Sequence, residues 1–417
     1  MKDVWSSDRS YYSPRGFYMW LRPGVLDGVN KRVLAPGTFV HELSHLLQDI
    51  ATIYGVVDFI NLLDVMSDMR RILMCGPLSS RLSEAPQSAG LWLHTIKEIR
   101  AAANARAEWK GESMWAYESY RVEEVKIRDY RLPQVVVRFV DNVTNGTYEH
   151  VLGAWEIKEA YSTATQALYG DPLPTDSAVG FEYFAVERFL LSLGTISPEH
   201  VIAICHWALQ YVLPGVRLVE LVNMLSAESA LPSPVQTYDL CRDYARDAFL
   251  STVWQCESQL QLQIDNVRRT AVSEEDPLYC ALCWYRDTAI PLLRRSERSR
   301  FPLDTALCLP PADRGAILEP LLQVCPVPMI EDATGVYTLG PHDVPARAVF
   351  LIRAIGDLMD HVDWRWPFRW QCPFYAGCRL PIREEGCRSV PWTKASQKPT
   401  CDYGAAAKYL DVRVAGI

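Results

Sequence analysis

The run His41-Glu42-Leu43-Ser44-His45 is where this sequence could most plainly do chemistry. On an α-helix, side chains four residues apart lie on one face. Two imidazoles at that spacing can each point a nitrogen at a single ion about 2.0–2.1 Å away. Glu42, beside the first imidazole, lies next to such an ion without facing it head-on. Zinc lowers the pKa of a water it binds toward ~7, and a neighbouring carboxylate can take that proton and pass it to a leaving amine. His41 and His45 are therefore read as ligands and Glu42 as a general base that activates metal-bound water. The plainer reading is a helix that happens to carry two histidines and a glutamate. Asp49, one turn beyond His45, shares the metal face. It is read as an acceptor orienting an imidazole, as a direct ligand, or as a solvated helix residue.

These groups need a helix to hold them, and the flanking residues supply one. Phe39, Val40, Leu43, Leu46 and Leu47 recur at helical spacing, and Thr38 can cap a helix running to about Gly55. A second helix is expected from Val56 to about Cys75 and a third at about 89–107. Val135, Val136, Val137, Phe139 and Val140 form strands readily, and Asn145-Gly146 is a strong hairpin signal. Tyr148 to Leu152 can then return antiparallel. Helical period resumes at Ala154–Tyr169, about Val179–Leu193, Pro198–Met224 and about 236–270. Residues 1–37 read as irregular, punctuated by proline and glycine. Region 300–345 reads as connecting structure around one short helix at 312–323, and a further helix is expected at 345–362. The fold class expected is mainly α with a small β-sheet, an α+β arrangement.

HELSHLLQD resembles the active-site helix of zincin metallopeptidases, and most nearly the gluzincins, whose third ligand is a glutamate on a later helix. It also resembles poorly characterised bacterial HExxH proteins, in which such a helix is followed much later by a Gly-Ala-x-x-Ile-Lys-Glu helix. Here that stretch is Gly153-Ala-Trp-Glu-Ile-Lys-Glu159. The resemblance spans roughly residues 36–190 and implies Glu159 as third ligand. From the residues alone, a catalytic zinc site needs a third protein donor beside water, and Glu156, Glu182 and Glu187 are rivals for it. An oxyanion donor is also required. Tyr183, in Gly-Phe-Glu-Tyr-Phe-Ala-Val-Glu, is the first candidate, with Tyr161 and His150 behind it. The strand ending at Leu152 leads into the Glu159 helix and could offer an edge to an extended peptide.

The rest of the chain bounds the reading. It has 417 residues with a formal charge of −8, 49% hydrophobic and 22% charged residues, the profile of an ordinary globular protein rather than a basic nucleic-acid binder. Twelve cysteines are too sparse for a disulfide scaffold. Cys372, Cys378, Cys387 and Cys401 could together hold a second, structural metal, although their spacings lack tight CxxC knuckles. Cys280-Ala-Leu-Cys283 is a CxxC in an expected helix, without the βαβ context of a redox motif. Trp364, Trp366 and Trp370 with Arg365 and Arg369 could stack on a base or partner, or simply pack together. The sequons at Asn142 and Asn145 read as turn chemistry. No apolar run approaches the ~20 residues of a membrane span, and the N-terminus lacks a signal-peptide pattern, so the expected address is the cytoplasm.

The expectation is a zinc-dependent endopeptidase acting on a protein or peptide substrate, with one catalytic Zn2+ on His41, His45 and Glu159. A zincin-like domain would span 1–230, and a helical accessory region 231–417 would supply recognition or control, with a Cys- and Trp-rich tail at 363–402. Cytoplasmic peptide hydrolysis needs restraint, which suggests narrow specificity or an activating protein partner. Neither a membrane nor a nucleic acid is expected as partner. The alternatives are a zincin-like interaction module without turnover, and a zinc hydrolase of a non-peptide amide.

Overall fold

The computed structural model describes residues 10–13, 17–27, 36–74, 115–127, 130–169, 183–270, 277–300, 327–332 and 335–339. The fold is α+β and mainly α, with helices α1 (Pro36–Ala51), α2 (Ile53–Met74), α3 (Ala154–Leu168), α4 (Ala185–Leu190), α5 (Pro198–Leu209), α6 (Pro214–Ser226), α7 (Pro234–Thr270) and α8 (Pro277–Arg298). The expected helices at 89–107, 312–323 and 345–362, and the tail at 363–402, lie outside the described residues.

In helix α1, Phe39, Leu43, Leu46 and Ile50 sit three or four apart and are fully buried, the stripe an amphipathic helix presents to a core. The helix begins at Pro36, a favoured first-turn residue, so Thr38 lies inside the first turn rather than capping it. It packs against α2, α3 and α8. Its C-terminal carbonyls need outside partners, and the structure accounts for three of them. Thr52 Oγ1 donates to Gln48 O at 2.5 Å, Tyr285 Oη to Asp49 O at 2.8 Å, and Gln210 Nε2 to Ala51 O at 3.0 Å. Gln210 Oε1 also accepts from Ile53 N at 3.0 Å, so one side chain caps both sides of the break. There α2 leaves α1 at 73°, and Gly55 lies against the α1 backbone: a Cβ on it would sit 2.4 Å from Asp49 Cα and from Gln48 O.

The expected hairpin is present and belongs to a three-stranded antiparallel meander, β3 (Trp115–Ile127), β4 (Tyr130–Asp141) and β5 (Thr147–Leu152). Val135 pairs with Leu152, Val137 with His150 and Phe139 with Tyr148. The left-handed turn position falls on Asn145, at φ 55°. Asp141 braces the loop, its carboxylate accepting from Val143 N and Thr144 Oγ1. Gly215 of α6 meets the end of β5 so closely that a Cβ would lie 2.3 Å from Leu152 O.

A second sheet corrects the sequence reading. Strands β1 (Tyr11–Ser13) and β2 (Tyr18–Trp20) lie in the stretch read as irregular, and β6 (Val327–Asp332) and β7 (Gly335–Leu339) in the stretch read as connecting structure. They order as β1-β2-β6-β7, with β2 and β6 parallel. The span Pro198–Met224, expected as one helix, is two, because Pro214 opens α6 after a short turn.

A single hydrophobic cluster runs from Phe17 through the helices to Ile330. The expected boundary near residue 230 falls between α6 and α7, and packing continues across it: α7 lies on α5 and α2, and α8 on α1. Among the described residues no single helix is long and apolar enough to cross a membrane.

Candidate metal centre

Helices α1 and α3 pack together and bring His41, His45 and Glu159 to one point. His41 Nε2 and His45 Nε2 each lie 3.5 Å from Glu159 Oε2. That separation is long for a hydrogen bond. It is close to the spacing of donors about 2.0–2.2 Å from a shared tetrahedral ion, roughly 3.3–3.6 Å. Among the described residues Glu159 Oε2 is buried without a hydrogen-bond partner, an arrangement that is costly for a carboxylate unless a cation satisfies it. A nitrogen–nitrogen–carboxylate donor set suits zinc, and the residues therefore fit the ion expected from the sequence.

Of the rivals, Glu156 is fully buried but turned away. Its Oε2 accepts from Gly153 N at 2.9 Å, closing the first turn of α3, and its Oε1 lies 3.2 Å from His150 Nε2. Glu187 is exposed on α4, and Glu182 lies outside the described residues.

Burial dominates the electrostatics, and the cluster resists it. Around Glu159 burial favours the neutral acid, but His45 and His41 outweigh it and hold the carboxyl well below its usual range. At His45 burial opposes the charged ring, yet Glu159, helped by Glu42, raises its pKa above the ordinary value. Burial raises Glu42 above the usual carboxylate range, against the pull of His41 and His45. A carboxylate moved up in this way is a better base near neutral pH. The Tyr12 backbone N–H donates to Glu42, so strand β1, which packs on α1, steadies that carboxylate.

Rings flank both imidazoles. Tyr183, just before α4, lies 6.2 Å from His41, centroid to centroid. Tyr12 stacks on His45 at 6.3 Å and 15°. Tyr161 is buried in the core, and burial raises its phenol far above the usual range. His150 is engaged with Glu156 beneath the meander and with Tyr148 Oη at 3.4 Å. Tyr183 is thus the oxyanion candidate that the structure brings beside an imidazole of the candidate metal cluster.

Asp49 does not orient an imidazole. Its Oδ1 pairs with Lys158 Nζ of α3 at 2.5 Å. The residue against His45 is Gln48, whose Oε1 lies 3.1 Å from Nδ1, with Ser162 Oγ 3.3 Å from the same nitrogen. Sequence reading missed Gln48, Ser162 and Tyr12. Gln48 had a usable signal, since it stands three residues beyond His45 and so on nearly its face; Ser162 and Tyr12 meet the site only through tertiary contact.

Of the cysteines, Cys205, Cys241 and Cys256 are buried free thiols, and burial raises all three, Cys241 to about 12 and Cys256 to about 11. Cys280 and Cys283 are half-buried against the core. Cys372, Cys378, Cys387 and Cys401, with the tryptophans between 364 and 370, lie outside the described residues. Compared with protein-family models, with curated proteins and with solved structures, the chain matches none.

Proposed function

We propose that this protein is a zinc-dependent endopeptidase of zincin type, with His41, His45 and Glu159 holding the ion and Glu42 as general base. The carrying observation is the convergence of two imidazole nitrogens, each 3.5 Å from one buried carboxylate oxygen that has no other partner among the described residues, with Glu42 adjoining. Zinc would supply an acidified water and polarise the scissile carbonyl. Glu42 then takes the proton of the attacking water and delivers it to the departing amine. The Tyr12 N–H keeps that carboxylate from rotating away. Tyr183 would donate its phenolic hydrogen to the oxygen that gains charge in the transition state. Peptide is favoured as substrate because β5, an edge strand among the described residues, runs directly into α3. Such an edge can pair with an extended main chain.

The test is metal content together with cleavage of a mixed peptide library. The expected result is one zinc per chain and cleavage that disappears in Glu42→Gln while zinc stays bound. Absence of zinc overturns the proposal. Stoichiometric zinc with no cleavage across many peptides favours an interaction module instead, and turnover of small amides but not peptides favours the non-peptide hydrolase.

A further inference from the structure

We propose that Gln48 is a positioning residue that fixes the tautomer of His45 and so aims its Nε2 lone pair at the ligand cluster. The argument runs from a neighbouring carbonyl. Gln48 Nε2 lies 3.0 Å from Lys158 O and 3.2 Å from Ser162 Oγ, both on α3. A backbone carbonyl only accepts, so the amide nitrogen of Gln48, not its oxygen, must face Lys158. This determines the orientation of the whole side-chain amide. Its oxygen is left 3.1 Å from His45 Nδ1, and an amide oxygen carries no hydrogen. A bare Nδ1 could accept from Ser162 Oγ, 3.3 Å away, but it would face the amide oxygen lone pair to lone pair at the shorter 3.1 Å; a proton on Nδ1 satisfies that oxygen and leaves the serine hydroxyl as a second acceptor. In a neutral imidazole the other nitrogen then holds the lone pair, and Nε2 is the atom directed at Glu159.

The clamp spans two helices. Residue 158 is gripped twice, its carbonyl by Gln48 and its ammonium by Asp49. The register of α3 against α1 thus sets the amide, the amide sets the ring, and the ring sets the donor atom. His41 has no such support: its Nδ1 has no hydrogen-bond partner among the described residues. The two ligands are consequently unequal, one prearranged on α1 and the other free to choose its tautomer. The inference rests on the metal-site reading for its purpose, but the tautomer can be measured without any metal.

The experiment is nitrogen NMR of histidine-labelled, metal-free protein near pH 9, above the usual imidazole range, with zinc affinity measured separately by chelator competition. Wild-type His45 is expected to carry its proton on Nδ1. In Gln48→Met, which keeps the shape but loses both polar atoms, the His45 signals should move toward a tautomer mixture and zinc affinity should fall 10–100-fold. Gln48→Glu, which restores an acceptor at Nδ1, should return the wild-type tautomer. The His41 signals should stay in place throughout. A proton on Nε2 of wild-type His45 overturns the proposal, even if Gln48→Met does not fold. An unchanged tautomer and affinity in a folded Gln48→Met also overturns it. Failure of the wild-type protein to bind zinc would instead defeat the functional reading, leaving the tautomer result to decide this one.

Discussion

Glu156 and Glu159 are one turn apart on the same helix, both buried, and made for different work. Among the described residues Glu156 accepts from Gly153 N and stands against His150 alone, whereas Glu159 Oε2 faces both His41 and His45 at 3.5 Å. Their substitutions should separate cleanly. Glu159→Ala is expected to abolish tight zinc binding, measured by chelator competition. Glu156→Ala should leave zinc affinity nearly intact yet cost about 1–3 kcal/mol in chemical denaturation, because it strands a buried donor and a buried ring. The reverse pattern would show that the wrong carboxylate had been chosen. The pH dependence follows from the same cluster. The pKa of His45 is raised in the fold, so the stability it contributes without metal is complete below its ordinary value of about 6.5. That stability is lost as pH rises through the folded value. The pKa of Glu159 is lowered, so its contribution is complete above its ordinary value of about 4.3 and is lost as pH falls through the folded one. The metal-free protein should gain least from this cluster in alkali, where it would hold zinc best, because zinc must displace the proton from His45. Thermal unfolding and zinc titration across pH 5–9 should therefore trend in opposite directions as His45 deprotonates, and parallel trends would contradict this account.

At the scale of elements, the site depends on how α1 ends. Its last turn presents Gln48 and Asp49 to α3, and the same backbone is pressed by Gly55 of α2. All three close atoms there are backbone, which cannot swing aside as a side-chain tip can. Gly55→Ala should therefore cost at least the 1–3 kcal/mol typical of overpacking, and it should also weaken zinc binding by displacing Gln48. An alanine variant with wild-type affinity would mean that the break between the helices does not set the site. Sequence patterning was a good guide to elements whose burial is periodic along the chain. Helix α1 declares itself through Phe39, Leu43, Leu46 and Ile50, and the β4–β5 hairpin through its valines and Asn145. Strands β1 and β2 have three residues each, too few for any period, and β2 pairs with β6 some three hundred positions away. Strand β3 hides for another reason: its exposed Glu118, Arg121 and Glu124 and half-buried Glu123 are charges that pair across the sheet or along the strand, and they dilute the alternation. The two histidines of the candidate metal centre were legible because one helix carries both. The residues steadying them belong to other elements, or, like Gln48, look like ordinary helix filler until α3 is in place.

For the whole molecule, the question is whether the part carrying the metal centre can stand without the helices that follow residue 230. Along α7 the residues Tyr238, Cys241, Ala245, Phe249, Val253, Cys256, Leu260 and Ile264 recur at intervals of three and four and are all buried. They lie on the helices behind the site: α7 covers α5 and α2, and α8 covers α1. Tyr285 reaches from α8 to the carbonyl of Asp49, one turn beyond His45, stacks on Phe17 and packs tilted against Phe59. Each large apolar side chain returned to water costs about 1.5–3 kcal/mol. Losing several, while uncovering their partners on α2 and α5, exceeds the 5–15 kcal/mol by which a domain is usually stable. A fragment ending at residue 230 should therefore lack a cooperative thermal transition and bind zinc far more weakly than the whole chain. Circular dichroism melting and chelator competition, run side by side on fragment and full chain, would check this. A fragment that melts cooperatively and holds zinc as tightly as the full chain would show that residues 231–417 form a separable accessory region and that the metal centre stands on α1 to α6 alone.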